Sequence, residues 1–391
     1  MMYLWQNPQW PNFTWNESKL LNPLLELNSN QGILEGQMRS LGFKVRSESA
    51  LNRFTREIKN SFEIEGVNLD EHSLRSSVAR KLGFENIILA NGETLDKNRP
   101  HINSIVEVIT DAVHNCNSTL TEERLFNWHK KLFGNPDGNE SFNGLYVIHV
   151  GQYRTDDEGP MRVISGYGKN ETVHFEAPPA NILQNQMNIF FEWFNGISCS
   201  TIPSVIKSAV SHLYFVELHP FEDGNGRLAR VIADMALCQG DKNSICNDHL
   251  FSMSAQLCKE RKDYYKMLHQ VEESGSMDIT EWILWYIGCM NRAVLSVLDE
   301  LKESQNRKAF WNKIDSININ ERQRKILQML LTDFEGKLTS SKYAKICKCS
   351  QDTATRDIEK LIHIGVLQKS KAGGRSTSYE LVKDVLYTSE I

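Results

Sequence analysis

Twelve residues, His219-Pro220-Phe221-Glu222-Asp223-Gly224-Asn225-Gly226-Arg227-Leu228-Ala229-Arg230, bring a base, a carboxylate, a glycine-bounded turn and two arginines together. These types in this order suit a polyphosphate and a metal ion. Gly224 and Gly226 flank Asn225, so the backbone can turn sharply and approach a ligand without a Cβ in the way. Successive N–H groups in such a turn, leading into a helix, form a concave anion site. Arg227 and Arg230, three apart, share one helix face and offer two guanidinium forks to phosphate oxygens. Asp223 supplies a hard oxygen ligand suited to Mg²⁺ held between phosphates. His219 is the only group in the string whose ordinary pKa lets it move a proton near neutrality. A lone His-Pro is usually a helix end and a lone Gly-Asn-Gly a turn, but neither accounts for the two arginines.

The elements that must position this string are mostly helical. Pro203 opens a helix bearing Val205, Ile206, Ala209, Val210, Leu213 and Tyr214, and His219 falls at or just past its end. Leu228, Val231, Ile232 and Met235 stripe the next helix, with Gly240 as its stop, so the turn lies between two core helices. Upstream, Phe54, Ile58 and Phe62 stripe a helix from about Arg53 to Glu65, with Gly66 just past its end. Thr119 or Thr121 caps a helix bearing Leu125, Trp128 and Leu132, and a further helix covers Asn181 to Asn195. Residues 145–177 break this period. Tyr146-Val147-Ile148 and Met161-Arg162-Val163-Ile164 are β-prone around a polar Asp156–Pro160 stretch, which predicts one hairpin ending before Pro178. Helices at about 255–270 and 279–303 follow. Trp5, Trp10, Phe13 and Trp15 near the start are too densely aromatic to stay solvated and are expected to pack back on the body.

From about 318 the pattern changes. Glu321–Leu331, Ser340–Lys348 and Ser350–Ile364 read as three helices. Val366–Lys369 and Ser378–Leu381 read as strands around Gly373-Gly374, a winged helix-turn-helix pattern. Residues 320–391 hold thirteen Lys and Arg against nine Asp and Glu, a net +4 within a chain of net −5. A mildly basic tail on an acidic body suggests separate jobs.

The chain has 391 residues, 40% hydrophobic and 24% charged, which fits two or three globular domains. No apolar run of about 18 residues predicts a membrane span. The start lacks a basic segment followed by an apolar one, so no signal peptide is expected. The eight cysteines (116, 199, 238, 246, 258, 289, 347 and 349) form no CxxC pair. That pattern favours reduced thiols and a cytoplasmic protein.

The string from His219 to Arg230 resembles the Fic family signature HPFx(D/E)GNGRxxR at every defined position. The resemblance covers roughly 60–300 and implies a mainly α fold, a helical core with a β-hairpin flap. It implies transfer of AMP from ATP to a Ser, Thr or Tyr hydroxyl of a target protein or of the chain itself. His219 would be the base, and Asp223 would hold Mg²⁺. Gly224, Asn225 and Gly226 would donate to developing negative charge, and Arg227 and Arg230 would hold the β- and γ-phosphates. Phe221 is expected to anchor the loop in the core. The flap would register a target segment by backbone pairing at Met161, Arg162 and Val163. Tyr264 and Tyr265 either line the adenine or pack in the core.

Ser61-Phe62-Glu63-Ile64-Glu65-Gly66 is similar to the (S/T)xxxE(G/N) inhibitory motif associated with Fic proteins. Ser61 and Glu65, four apart, share a helix face. The resemblance pairs Glu65 with Arg230, and an Arg230 so committed cannot also clamp the γ-phosphate. This divides the chain into an N-terminal region (1–110) with an inhibitory helix at about 53–66, a catalytic core (111–303) and a winged-helix domain (304–391). Within that last domain Ser350–Ile364 would present Gln351, Thr353, Thr355 and Arg356 to DNA, with Lys345, Lys348, Lys369, Lys371 and Arg375 at phosphates. Contacts with protein or a homodimer are open alternatives for the same domain, so DNA through residues 318–383 is one expectation among these. Removal of AMP, transfer of another phosphate-linked group, and a nucleotide-sensing DNA-binding regulator are rival functions. His219 argues against the last, since sensing requires no base.

Overall fold

Two adjacent helices form the centre of the first half of the protein, and almost every side chain of one of them is buried. A computed structural model describes residues 3–96, 99–134, 140–142, 147–157, 159–165, 172–196, 201–239, 251–332, 334–370 and 377–382. The chain separates into two compact units, Met1–Val297 and Leu298–Ile391.

In the first unit, α1 (Glu17–Ser40), α2 (Phe43–Ile64), α3 (Glu71–Leu82), α4 (Glu85–Ala90), α5 (Pro100–His114) and α6 (Glu122–Leu132) precede the strands. β1 (Glu140–Phe142) pairs antiparallel with β2 (Val147–His149), and β3 (Arg162–Ser165) with β4 (Thr172–Glu176). Then come α7 (Ala180–Asn195), α8 (Ser204–Leu218), α9 (Asn225–Gln239), α10 (Met253–Lys259), α11 (Arg261–Ser274) and α12 (Thr280–Asp315), whose residues from Leu298 on belong to the second unit. The expected single hairpin is therefore two. Tyr146 and residues 166–171 lie outside the described residues, as does Gly240. The segment between Val150 and Met161 does not join a sheet, because Arg154 ties it to the loop after α8 instead.

α8 and α9 pack on each other, and α9 also meets α2 and α5. The stripe read from the sequence holds: Leu213, Leu228, Ile232 and Met235 have no exposed surface. Phe190 of α7 is fully buried against Phe194, Tyr214 and Phe215. α2 begins ten residues earlier than its apolar stripe suggested, because its first turns are polar and only Ser47 and Leu51 there face inward. The helix expected at 255–270 is broken at Glu260, whose carboxylate is taken by Arg292. The aromatic start does fold back: Trp5 donates to the Glu176 carbonyl (2.8 Å), and Trp10 and Phe13 pack edge-on against Tyr214.

In the second unit, α13 (Glu321–Leu330), α14 (Ser340–Cys347) and α15 (Gln351–His363) are followed by the antiparallel pair β5 (Leu367–Lys369) and β6 (Tyr379–Leu381). Phe310, Ile326, Leu327, Tyr343, Ile358 and Leu361 form its core. Asp357 accepts from Arg322, Asn320 and the Tyr343 hydroxyl, joining α13, α14 and α15 around one carboxylate. Gln351 and Arg356 on α15 are exposed and Thr353 and Thr355 half-buried, whereas Lys371, Gly373, Gly374 and Arg375 lie outside the described residues. Among the described residues, no helix is long and apolar enough to cross a membrane.

Phe190→Ala removes a fully enclosed ring and should cost about 3–5 kcal/mol, lowering the midpoint of urea unfolding followed by fluorescence. An unchanged midpoint would contradict its place in this core.

Candidate active site

The loop joining α8 to α9 carries the chemical residues, and its own backbone is shaped by buried polar side chains. His219 follows α8 in left-handed conformation (φ 46°, ψ 54°), a costly state for a residue with a Cβ. Its N–H still donates to the Phe215 carbonyl (3.1 Å). The buried Arg154 clamps this bend: its Nε donates to the His219 carbonyl (2.8 Å) and its backbone N–H to the Pro220 carbonyl (2.9 Å). Asp156 pairs with the same guanidinium (2.9 Å).

Asn225 closes the loop on itself. Its Oδ1 accepts from the Phe221 N–H (3.0 Å) and its Nδ2 donates to the Phe221 carbonyl (2.8 Å). One of the two N–H groups of this amide is thus engaged in shaping the turn. Phe221 is fully buried and stacks on the His129 ring with centroids 4.0 Å apart, the anchoring role read from the sequence. The His129 Nδ1 accepts from the Gly151 N–H (3.0 Å), so its Nε2–H donates to the Asp223 carbonyl (3.0 Å). Burial lowers His129 to about 4, which keeps the ring neutral and this tautomer in place.

Gly224 has φ +83°, and a Cβ there would press on the Phe133 ring. Gly226 is needed for a different reason: a Cβ would collide with the Glu65 carboxylate, which lies against the first turn of α9.

Arg227 and Arg230 are almost wholly buried. Arg227 donates to Asp223 Oδ1 (3.1 Å) and lies over the Phe62 and Phe133 rings. Arg230 donates through Nε to the Ser61 hydroxyl (2.9 Å) and through Nη2 to the Ser61 carbonyl (2.7 Å) and Glu65 Oε1 (2.8 Å). Arg227 Nε and Arg230 Nη1 are buried with no hydrogen-bonding partner among the described residues. A buried donor left so costs about 1–3 kcal/mol, which an incoming anion would offset.

Beside His219 opens a cavity of about 570 Å³, lined among others by Glu65, Gly226, Tyr264, Tyr265 and, from the β3–β4 hairpin, Val163, His174 and Phe175. His219 is driven down to about 4, first by burial and then by Arg154, and is neutral at pH 7. Its Nδ1 faces the Val216 carbonyl at 3.4 Å, which leaves Nε2 as the proton acceptor. Tyr264 is buried with its hydroxyl against His212 Nε2 (2.9 Å) and Tyr265 is 41% exposed, and both line the cavity. Met161 and Arg162 do not line the cavity: Arg162 pairs with Glu176 (2.7 Å), and the Met161 carbonyl accepts from Ala177 (3.0 Å).

Asp223 keeps 34% of its side chain exposed, and both of its hydrogen bonds use Oδ1. No group of three or more His, Cys, Asp or Glu capable of holding a metal occurs among the described residues. A lone exposed carboxylate fits Mg²⁺ that takes its other ligands from phosphates and water.

Residues 119–237 match the Fic/DOC family, and residues 3–84 match a domain of unknown function, DUF4172. A protein adenylyltransferase Fic of Nematostella vectensis is 23% identical over 239 residues, 61% of this chain and 47% of that protein. A probable protein adenylyltransferase of Aquifex aeolicus is 30% identical over 125 residues, 31% of this chain and 35% of that protein. The chain thus spans half or less of the curated relatives it matches here. Among solved structures, a Fic family protein of Desulfovibrio desulfuricans aligns at TM-score 0.48 and 17% identity, covering 95% of this chain and 98% of that one. Residues 134–508 of Fic-1 of Caenorhabditis elegans align at TM-score 0.44 and 20% identity, covering 73% and 76%. Ser61 and Glu65 thus come from the region matching DUF4172, while the arginine they hold lies in the region matching the Fic/DOC family.

Sequence reasoning missed His129 and Arg154. His129 was legible, because Leu125, Trp128, His129 and Leu132 are all buried on one face of α6. Arg154 lies in an irregular segment with no period to single it out.

Asn225→Ala would leave the Phe221 N–H and carbonyl unpaired in the interior. It should lower stability by about 1–3 kcal/mol in thermal unfolding. A melting temperature equal to that of the unaltered protein would show that the loop does not depend on this amide.

Proposed function

We propose that the protein transfers AMP from ATP to a hydroxyl of a protein, itself or a partner, and that Glu65 restrains this activity. The observation that carries the reading is the triple hold of Ser61 and Glu65 on Arg230 at the edge of the cavity that His219 lines. Neutral His219 takes the proton from the attacking hydroxyl at Nε2, and the phosphates nearby make the resulting imidazolium easier to form. The start of α9 and the unpaired donors of Arg227 and Arg230 bind phosphate oxygens. Asp223 would hold Mg²⁺, which offsets phosphate charge when bound. The exposed Val163 on β3 offers an edge for a target segment by backbone pairing. Arg230 paired with Glu65 cannot turn both forks to a γ-phosphate, and the carboxylate repels one.

In this reading residues 1–110 carry the restraint, 111–303 the chemistry, and 304–391 a winged-helix module whose exposed Gln351 and Arg356 suit DNA. A homodimer is a second use of that module. Cys258, Cys289, Cys347 and Cys349 are free thiols, which supports a reducing compartment such as the cytoplasm.

Incubation with α-³²P-ATP and Mg²⁺ tests the whole reading. Glu65→Gly should label protein far above the unaltered chain, and Glu65→Gly/His219→Ala should lose about 10²-fold or more of that label. Absence of label in every sample would point to another donor, to removal of AMP, or to nucleotide sensing.

A further inference from the structure

One buried carboxylate of α2 takes no part in the chemistry above. Glu57 does not line the cavity, and its oxygens are turned to α10. Its Oε2 accepts from the Ser252 hydroxyl (2.6 Å), and the Ser254 N–H donates to Oε2 (3.0 Å) and Oε1 (3.2 Å). Ser252 Oγ in turn accepts from the Ala255 N–H (3.0 Å), so the first turn of α10 is built around this carboxylate. Ser252 and Ser254 are buried too, and buried donors that lose their acceptor are costly to leave unpaired.

Glu57, Ser61 and Glu65 recur every four residues and share one face. Gly226, Arg230 and Asp234 recur in the same way along α9. Glu65 lies against Gly226 and pairs with Arg230, and Ser61 holds Arg230 as well. Burial, then Glu57, pushes the Asp234 carboxyl well above the ordinary range, with Arg230 opposing. Asp234 thus stays protonated, and the negative charge remains on Glu57, where α10 supplies donors. The two series run in opposite directions, so a slide of α2 along its axis moves Glu57, Ser61 and Glu65 off their partners together. Glu65 itself follows the last turn of α2 and keeps 28% of its side chain exposed. Helix ends fray, so the fixed point of this face lies deeper in the helix.

We propose that Glu57 is a positioning residue for the restraint: by fastening α2 to the start of α10 it sets the register in which Ser61 and Glu65 meet Arg230. The inference rests on the reading of Glu65 as a restraint on AMP transfer. Glu57 touches neither Arg230 nor the cavity and acts through the seating of α2.

Labelling with α-³²P-ATP and Mg²⁺, together with hydrogen exchange of the full chain, tests this. With Glu65 in place, Glu57→Ala should raise labelling about fivefold or more. Glu57→Gln keeps one acceptor oxygen and should raise it less. In the Glu65→Gly background Glu57→Ala should leave labelling unchanged, because no restraint is left to relieve. A residue needed only for stability would instead lower labelling in both backgrounds. Amides at the end of α2 should exchange about fivefold or more faster in Glu57→Ala, with those of α8 at their unaltered rate. Labelling by Glu57→Ala at or below the unaltered level, or a rise of equal size in both backgrounds, would overturn the proposal. Unaltered exchange in α2 would overturn it whatever the labelling shows. Absence of label even with Glu65→Gly would overturn the AMP-transfer reading instead, and exchange alone would then decide whether Glu57 anchors α2.

Discussion

The guanidinium of Arg230 is the point on which the arrangement depends. It is buried in α9, and a buried cation is tolerable only where acceptors surround it. Ser61 of α2 and Glu65 just past its end supply three, so this charge fastens the N-terminal region to α9. The same contact explains Gly226: only a residue without a Cβ lets the Glu65 carboxylate lie against the first turn of α9. On the proposed reading, docking of α2 and binding of phosphate are one problem in electrostatics, and satisfying one would interfere with the other.

Around this point the protein places polar groups in the interior to shape backbone. Asn225 closes the loop, His129 holds the Asp223 carbonyl, and Arg154 grips the left-handed bend at His219. Each satisfies peptide groups that have no helix or strand partner. The result is a loop whose backbone is fixed by the protein's own buried side chains. Burial also keeps His219 neutral, a condition for accepting a proton.

Much of this was legible in the chain. The apolar stripes of α8 and α9 and the short distance between His219 and Arg227 placed a turn between two core helices before any coordinates were known. Ser61 and Glu65 could be put on one helix face by spacing alone, but their distance of more than 160 positions from Arg230 is not a local signal. The pairing came from family resemblance. Strand pairing between Tyr146–Ile148 and Met161–Ile164 was misread because β propensity names strands without naming partners. Arg154 acts through carbonyls brought near by tertiary folding, which no window of sequence displays. Glu57 looks like an ordinary polar position on an amphipathic helix until burial is known.

The account's central claim is that Arg230 belongs either to Glu65 or to the nucleotide. Crystal structures of the unaltered chain and of Glu65→Gly, each with Mg²⁺ and a non-hydrolysable ATP analogue, test it most directly. The account predicts Arg230 on Ser61 and Glu65 in the unaltered chain and on the γ-phosphate in the variant. Arg230 on the γ-phosphate while Glu65 still holds it would contradict the claim.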